Sequence, residues 1–144
     1  MAKMIFVSLP VSDVARSTAF YQAIGAVKNE AFSDDRTASC IAFSDTINAM
    51  LMTPDKYRHF TSKKIADART TSQVLLCLFV DSRQAVDHMI GKARAAGGNL
   101  DPSPVEDFDF MYGRSFEDPD GHMWGVSWMD VEAAAKAMAA PANA

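Results

Sequence analysis

From residue 4 to residue 11 the chain alternates. Ile5, Val7, Leu9 and Val11 share one face of an extended segment, and Phe6, Ser8 and Pro10 share the other. After Asp13, a natural N-cap, the spacing turns helical, with Ser17, Phe20, Tyr21 and Ile24 on one stripe until Gly25 ends it. Three further strands are predicted over 26–32, 37–43 and 47–53, separated by the turns Ser33-Asp34-Asp35-Arg36 and Ser44-Asp45-Thr46. A polar stretch, 54–73, carries no clear period. Then the pattern starts again. "VLLCLFV", 74–80, reads as a strand, and Asp81-Ser82 caps a helix with Val86, Met89, Ile90 and Ala93 at helical spacing, stopped by Gly97-Gly98. Strands follow near 101–109, 110–117 and 121–128, the last two joined by the turn Asp118-Pro119-Asp120-Gly121. Asp130 caps a final alanine-rich helix that stops before Pro141 and leaves a frayed tail.

The order is βαβββ, connector, βαβββ, which is an internal duplication. It predicts an α+β fold in which the two βαβββ repeats form a curved mixed sheet with a concave ligand trough and helices on the outside. The chain is expected to be a single domain over 1–144, with repeats of about 1–53 and 74–130 joined by the connector 54–73. Strand parity turns Phe6, Ser8, Asn48, Met50, Met52, Leu75, Cys77, Phe79, Met123, Gly125 and Ser127 inward. Such a set makes an apolar, sulfur-rich pocket with a few hydroxyl and amide handles, suited to flat hydrophobic or aromatic molecules. The same side chains could instead close on one another as plain core.

Composition narrows the field. At 144 residues, 49% hydrophobic and 22% charged, the chain can bury a real core. A net charge of −4 argues against nucleic acid or an anionic membrane surface as partner. Apolar runs stop far short of the ~20 residues that a membrane span requires. The opening "MIFVSLPV" is broken by Pro10 and reads as a first strand rather than a cleaved signal, so a cytoplasmic protein is expected. Cys40 and Cys77 lack metal-ligand spacing and read as thiols of a reducing compartment.

"VSLPVSDVARSTAFYQAIGA" resembles the opening of the vicinal oxygen chelate superfamily, which includes glyoxalases, bleomycin-resistance proteins and extradiol dioxygenases. "DPDGHMWGVSWMD" resembles that superfamily's closing hairpin, and "FMYGRSFEDPDGH" its glyoxalase/bleomycin-resistance-like branch. The resemblance spans essentially the whole chain. It implies a homodimer, and in metal-using members up to four inward strand positions that hold a divalent ion with sites left open for substrate oxygens. Those positions fall here at Phe6, about Met50, Leu75 and Gly125. Phenylalanine and leucine offer no lone pair, glycine offers only backbone, and a thioether suits soft metals. No metal and no other cofactor is therefore expected. Gly125 stands where relatives place a glutamate, and it either opens space for a ligand or neighbour or merely lets the strand bend.

Other chemistry is sparse. His59, His88 and His122 lie on three different elements, with no carboxylate or histidine cluster at ligand spacing. Tyr112 and Arg114 are the weak catalytic candidates. If inward, the arginine could grip a carboxylate or phosphate and the tyrosine could transfer a proton; otherwise Arg114 pairs with Glu117, Asp118 or Glu106. The basic and aromatic connector reads as a solvated link, a flap or a dimer contact. The reading favoured by the residues is metal-independent binding of a small hydrophobic or aromatic molecule through Phe6, Ser8, Asn48, Met50, Met52, Cys77, Met123 and Gly125. A lyase, isomerase or dioxygenase-type enzyme of the same fold with a non-standard site is the alternative. A non-catalytic protein-interaction module with a filled trough is the third.

Overall fold

The computed structural model describes residues 2–139, so the predicted tail beyond Pro141 lies outside the described residues. The N-terminal repeat runs β1 (Ile5–Pro10), α1 (Val14–Ala23), β2 (Val27–Asn29), β3 (Ala38–Ala42) and β4 (Ile47–Met52). The C-terminal repeat, after a short helix α2 (Pro54–Tyr57), runs β5 (Leu76–Phe79), α3 (Arg83–Ala95), β6 (Asn99–Leu100), β7 (Glu106–Phe108), β8 (Met111–Glu117) and β9 (Met123–Met129). A helix α4 (Val131–Ala139) closes the described chain. The fold is α+β, with two mixed sheets of four and five strands, one per repeat. The first has the order β1-β4-β3-β2; the second has the equivalent order β5-β9-β8-β6, with β7 also on β8. In each, the strand before the helix pairs in parallel with the repeat's last strand, and the remaining pairs are antiparallel.

Local chemistry explains the helix ends. Asp13 caps α1 by accepting from the Arg16 amide, and Ser82 caps α3 by accepting from the Ala85 amide. Gly25 and Gly97, at φ of 109° and 95°, end the two helices in a backbone conformation that glycine adopts without a Cβ clash.

Three predicted elements differ. The strand expected over 26–32 stops at Asn29, whose side chain accepts from the Ala31 amide and starts a single 3-10 turn, Glu30–Phe32. The strand expected over 101–109 is broken. Pro102 and Pro104 have no amide to give a ladder and Asp101 sits at a φ of 51°, so only β7 forms within that range, while β6 lies just before it, and the two pair separately with β8. The connector begins as α2, capped by Thr53, and the strand expected from 74 starts at Leu76.

A common core joins the halves. It draws on one face of β1, β3, β4, β5, β8 and β9: Leu9, Ile41, Ala49, Leu51, Leu78, Phe116, Trp124 and Val126, packed on Phe20, Tyr21 and Ile24 of α1 and on Val86, Ile90 and Ala93 of α3. Phe20 meets Phe116 at 5.8 Å, and Tyr21 meets Trp124 edge-on at 6.1 Å. Polar bonds tie the same junction. The Tyr21 hydroxyl donates to Asp118 Oδ2 at 2.5 Å and accepts from Trp124 Nε1 at 2.9 Å. Asp118 Oδ1 meanwhile takes the amides of Asp120 and His122, fixing the turn. Burial raises the Asp118 carboxyl above its ordinary range, although His122 and its hydrogen bonds pull the other way. Burial likewise holds the Tyr21 phenol well above its ordinary value, with Asp118 adding to the effect. Across the junction Ser12 donates twice to Asp120, and His122 Nε2 donates to the Pro10 carbonyl at 2.7 Å.

Candidate functional site

Every core residue on a strand has the parity that faces a helix, so each sheet keeps a second face outside the core. In the first sheet the register places Phe6 beside Asn48 and Ala42, Ser8 beside Met50 and Cys40, and Pro10 beside Met52 and Ala38. In the second it places Cys77 beside Gly125 and Ser115, Phe79 beside Ser127 and Gly113, and Met123 beside Glu117. Leu75 precedes β5 and is exposed. The sequence-derived set therefore lies away from the helices, divided between two sheets.

The first open face is aromatic and sulfur-rich. The 3-10 turn swings Phe32 over it, edge-on to Phe6 with ring centroids 6.5 Å apart. Beneath the turn Cys40 is fully buried, its amide donating to Ser33 Oγ at 2.9 Å, and burial raises its thiol above the ordinary value. Asn48 is buried and donates to the Ile5 carbonyl. Phe6 and Phe32 stay 44% and 59% exposed.

The second open face has a low floor of Gly113, Ser115, Gly125 and Ser127. A Cβ on Gly113 would lie 2.8 Å from Ser127 Oγ, and one on Gly125 would lie 3.2 Å from Cys77 Sγ. The place of a glutamate at Gly125 is thus partly taken by the Cys77 thiol, which bonds Ser127 Oγ at 3.6 Å. Phe79 stands 57% exposed beside this floor, and the loop after β6 folds onto its end, with the Ser103 amide bonded to Ser115 Oγ and the Ser103 hydroxyl to Met123 Sδ.

Tyr112 and Arg114 sit on the other face. Parity puts Met111, Gly113 and Ser115 outward and turns this pair towards α3. Arg114 grips Asp101 with two nitrogens, at 3.2 and 2.8 Å, and reaches Asp87 at 3.2 Å. Tyr112 donates to Asp87 at 2.6 Å. The Arg114 hydrogen bonds hold the Asp101 carboxyl below its ordinary value, and Asp101 raises the guanidinium. Arg83 stacks over Tyr112 and Trp128 at 5.4 and 5.1 Å. These groups form a strut between helix and sheet. The acids engaged are Asp87 and Asp101 rather than Glu117, Asp118 or Glu106.

The positions corresponding to metal ligands, Phe6, Met50, Leu75 and Gly125, do not fit a divalent ion. Among the described residues no three histidine, cysteine, aspartate or glutamate side chains come together as a metal site. No described helix is long and apolar enough to cross a membrane. Two concavities, of about 470 and 160 Å³, are lined mainly by connector residues and not by the strand residues named above, Pro10 of the smaller one excepted. Phe32, Gly113 and Ser115 were not singled out by strand parity. Phe32 lay in a mistaken strand, and β8 alternates without an apolar face to orient it.

A family model described as Glyoxalase/Bleomycin resistance protein/Dioxygenase superfamily matches residues 3–126. No protein of curated function matches the chain. The fold is similar to that of a hypothetical protein, SA1046, from S. aureus, with a TM-score of 0.72 at 22% identity over 89% of this chain and 94% of that one. A glyoxalase/bleomycin resistance protein/dioxygenase family enzyme from Burkholderia phytofirmans PsJN gives 0.71 at 21% identity, over 89% and 99%. TnmS3, an antibiotic binding protein from Streptomyces sp. CB03234, gives 0.60 at 18%, over 90% and 98%.

Proposed function

The chain belongs to the glyoxalase/bleomycin resistance protein/dioxygenase superfamily, and within it we propose that this protein binds a small hydrophobic or aromatic molecule without a metal ion. One observation carries the reading. The core uses a single face of β1, β3, β4, β5, β8 and β9 and leaves their other face, with Phe6, Met50, Cys77, Phe79 and Met123, outside it. A flat ring finds a low floor at Gly113, Ser115, Gly125 and Ser127, and soft aromatic and sulfur walls around it. Ser8, Asn48 and Ser127 are the polar groups that would orient it. That TnmS3, of similar fold, is an antibiotic binding protein supports small-molecule binding as the role. Tyr112 and Arg114 are engaged on the helix side, which weakens an enzymatic reading built on them.

The two open faces take no part in the junction between the halves, so each is half a trough. A homodimer in which the open faces of two copies cover one another would complete the site and shelter Phe6 and Phe79. Native mass spectrometry of the purified protein tests both points. The expected result is a dimer carrying a small organic ligand, or taking up an added aromatic probe, with no stoichiometric divalent ion before or after chelator treatment. Phe6→Asp and Phe79→Asp should each keep the fold by circular dichroism and lose the probe. A monomer indifferent to aromatic probes, or a tightly held metal, overturns the reading.

A further inference from the structure

The connector between the repeats is the one strongly basic part of an acidic chain. Residues 54–73 hold five Lys or Arg side chains against two Asp, while the rest holds nine basic against sixteen acidic ones. The segment is pinned at both ends. Thr53 caps α2 and hangs it from the end of β4. Arg69 donates to the Pro119 carbonyl at 2.8 Å and lies against Gly121, where an added Cβ would come within 3.1 Å of the Arg69 Cα. Between these anchors the chain curls round a concavity of about 470 Å³ lined by Arg58, Thr61, Ser62, Lys63, Lys64 and Ile65.

The lining residues carry a guanidinium, two ammonium groups and two hydroxyls, with no carboxylate among them. Among the described residues neither Lys63 nor Lys64 has a carboxylate within salt-bridge distance, and Arg58 pairs only with the exposed Asp55. Three exposed cations and two hydroxyls brought together along one concave loop are the chemistry that recognises a phosphate or carboxylate. The volume is that of a small-molecule site, and the chain's overall negative charge opposes a long polyanion.

We propose that the connector holds an anion site of its own, in which Arg58, Lys63 and Lys64 bind the phosphate or carboxylate of a small molecule. The site is separate from the open sheet faces and stands whether or not those bind an aromatic ligand.

Calorimetry of the full chain with inorganic phosphate, and in a second arm with citrate, at low ionic strength tests it. The expected result is saturable one-to-one binding that weakens about tenfold or more in a Lys63→Gln/Lys64→Gln variant. A Lys92→Gln/Arg94→Gln variant removes the same charge from α3 and should bind as the parent does. Equal weakening in both variants means diffuse charge and overturns the proposal, as does no saturable binding. A single-stranded oligonucleotide that displaces phosphate and binds more tightly, with a steep salt dependence, would make the partner a polyanion and also overturns it. Because the lysines are exposed and outside the core, unchanged melting temperatures should accompany the loss.

Discussion

Gly125 shows how one missing side chain propagates. Its vacancy beside Cys77 is real but small, since an added Cβ meets the sulfur at 3.2 Å and the Cys77 Cβ at 3.5 Å. Gly125→Ala should therefore cost about 1 kcal/mol through crowding. In a Cys77→Ala background the same change should be neutral, a coupling of about 1 kcal/mol in a urea double-mutant cycle. Additive costs would show that the thiol does not fill that space. At this scale the sequence was half legible. The period of two placed Phe6, Met50, Cys77 and Gly125 on one parity, because apolar neighbours such as Val7, Leu51, Leu78 and Val126 define the buried one. It left β8 ambiguous, since Tyr112, Gly113, Arg114 and Ser115 alternate in size and polarity without an apolar stripe. What holds Arg114 on that side are Asp101 and Asp87, 13 and 27 positions away, which no local pattern names.

Between elements, the strut from α3 to β8 makes stability depend on pH. Arg114 lowers the folded-state value of Asp101 below the unfolded one, so the folded form holds fewer protons there. The stabilisation is complete above the unfolded value of about 4 and is lost as pH falls through the lower, folded value. Asp101→Asn suits the test, because asparagine also tolerates the φ of 51° at this position. It should cost about 0.5–1 kcal/mol at pH 7, a modest figure for a pair that solvent still reaches. The gap to the parent should close as denaturation is repeated towards about pH 2. A gap that stays constant would mean that the residue acts through backbone shape alone. Helices α1 and α3 were the clearest elements in the sequence, each marked by a cap and a glycine stop. Edge strands were the least clear, because β2, β6 and β7 have two or three residues each and no period can be read from so few.

For the molecule as a whole, the bonds of the Tyr21 hydroxyl with Asp118 and Trp124 are the most buried of the polar bonds between the repeats. Tyr21→Phe leaves a buried carboxylate oxygen without its donor and the Trp124 indole without its acceptor. A loss of about 2–3 kcal/mol is expected, read as a lower urea midpoint at unchanged slope. A change under about 0.5 kcal/mol would mean that the aromatic packing and the remaining Ser12–Asp120 and His122–Pro10 bonds join the halves without them. The duplication was legible because the pattern restarts after the connector. The way the halves join was not, since it rests on side chains 97 and 103 positions apart. The interrupted rim formed by β6 and β7 has a last consequence. A cross-β fibril recruits new chains along a long straight border of free amides, and Pro102 and Pro104 deny this border that continuity. Deleting residues 102–104, prolines included, to make one uninterrupted strand should turn the protein into one that templates its own precipitation.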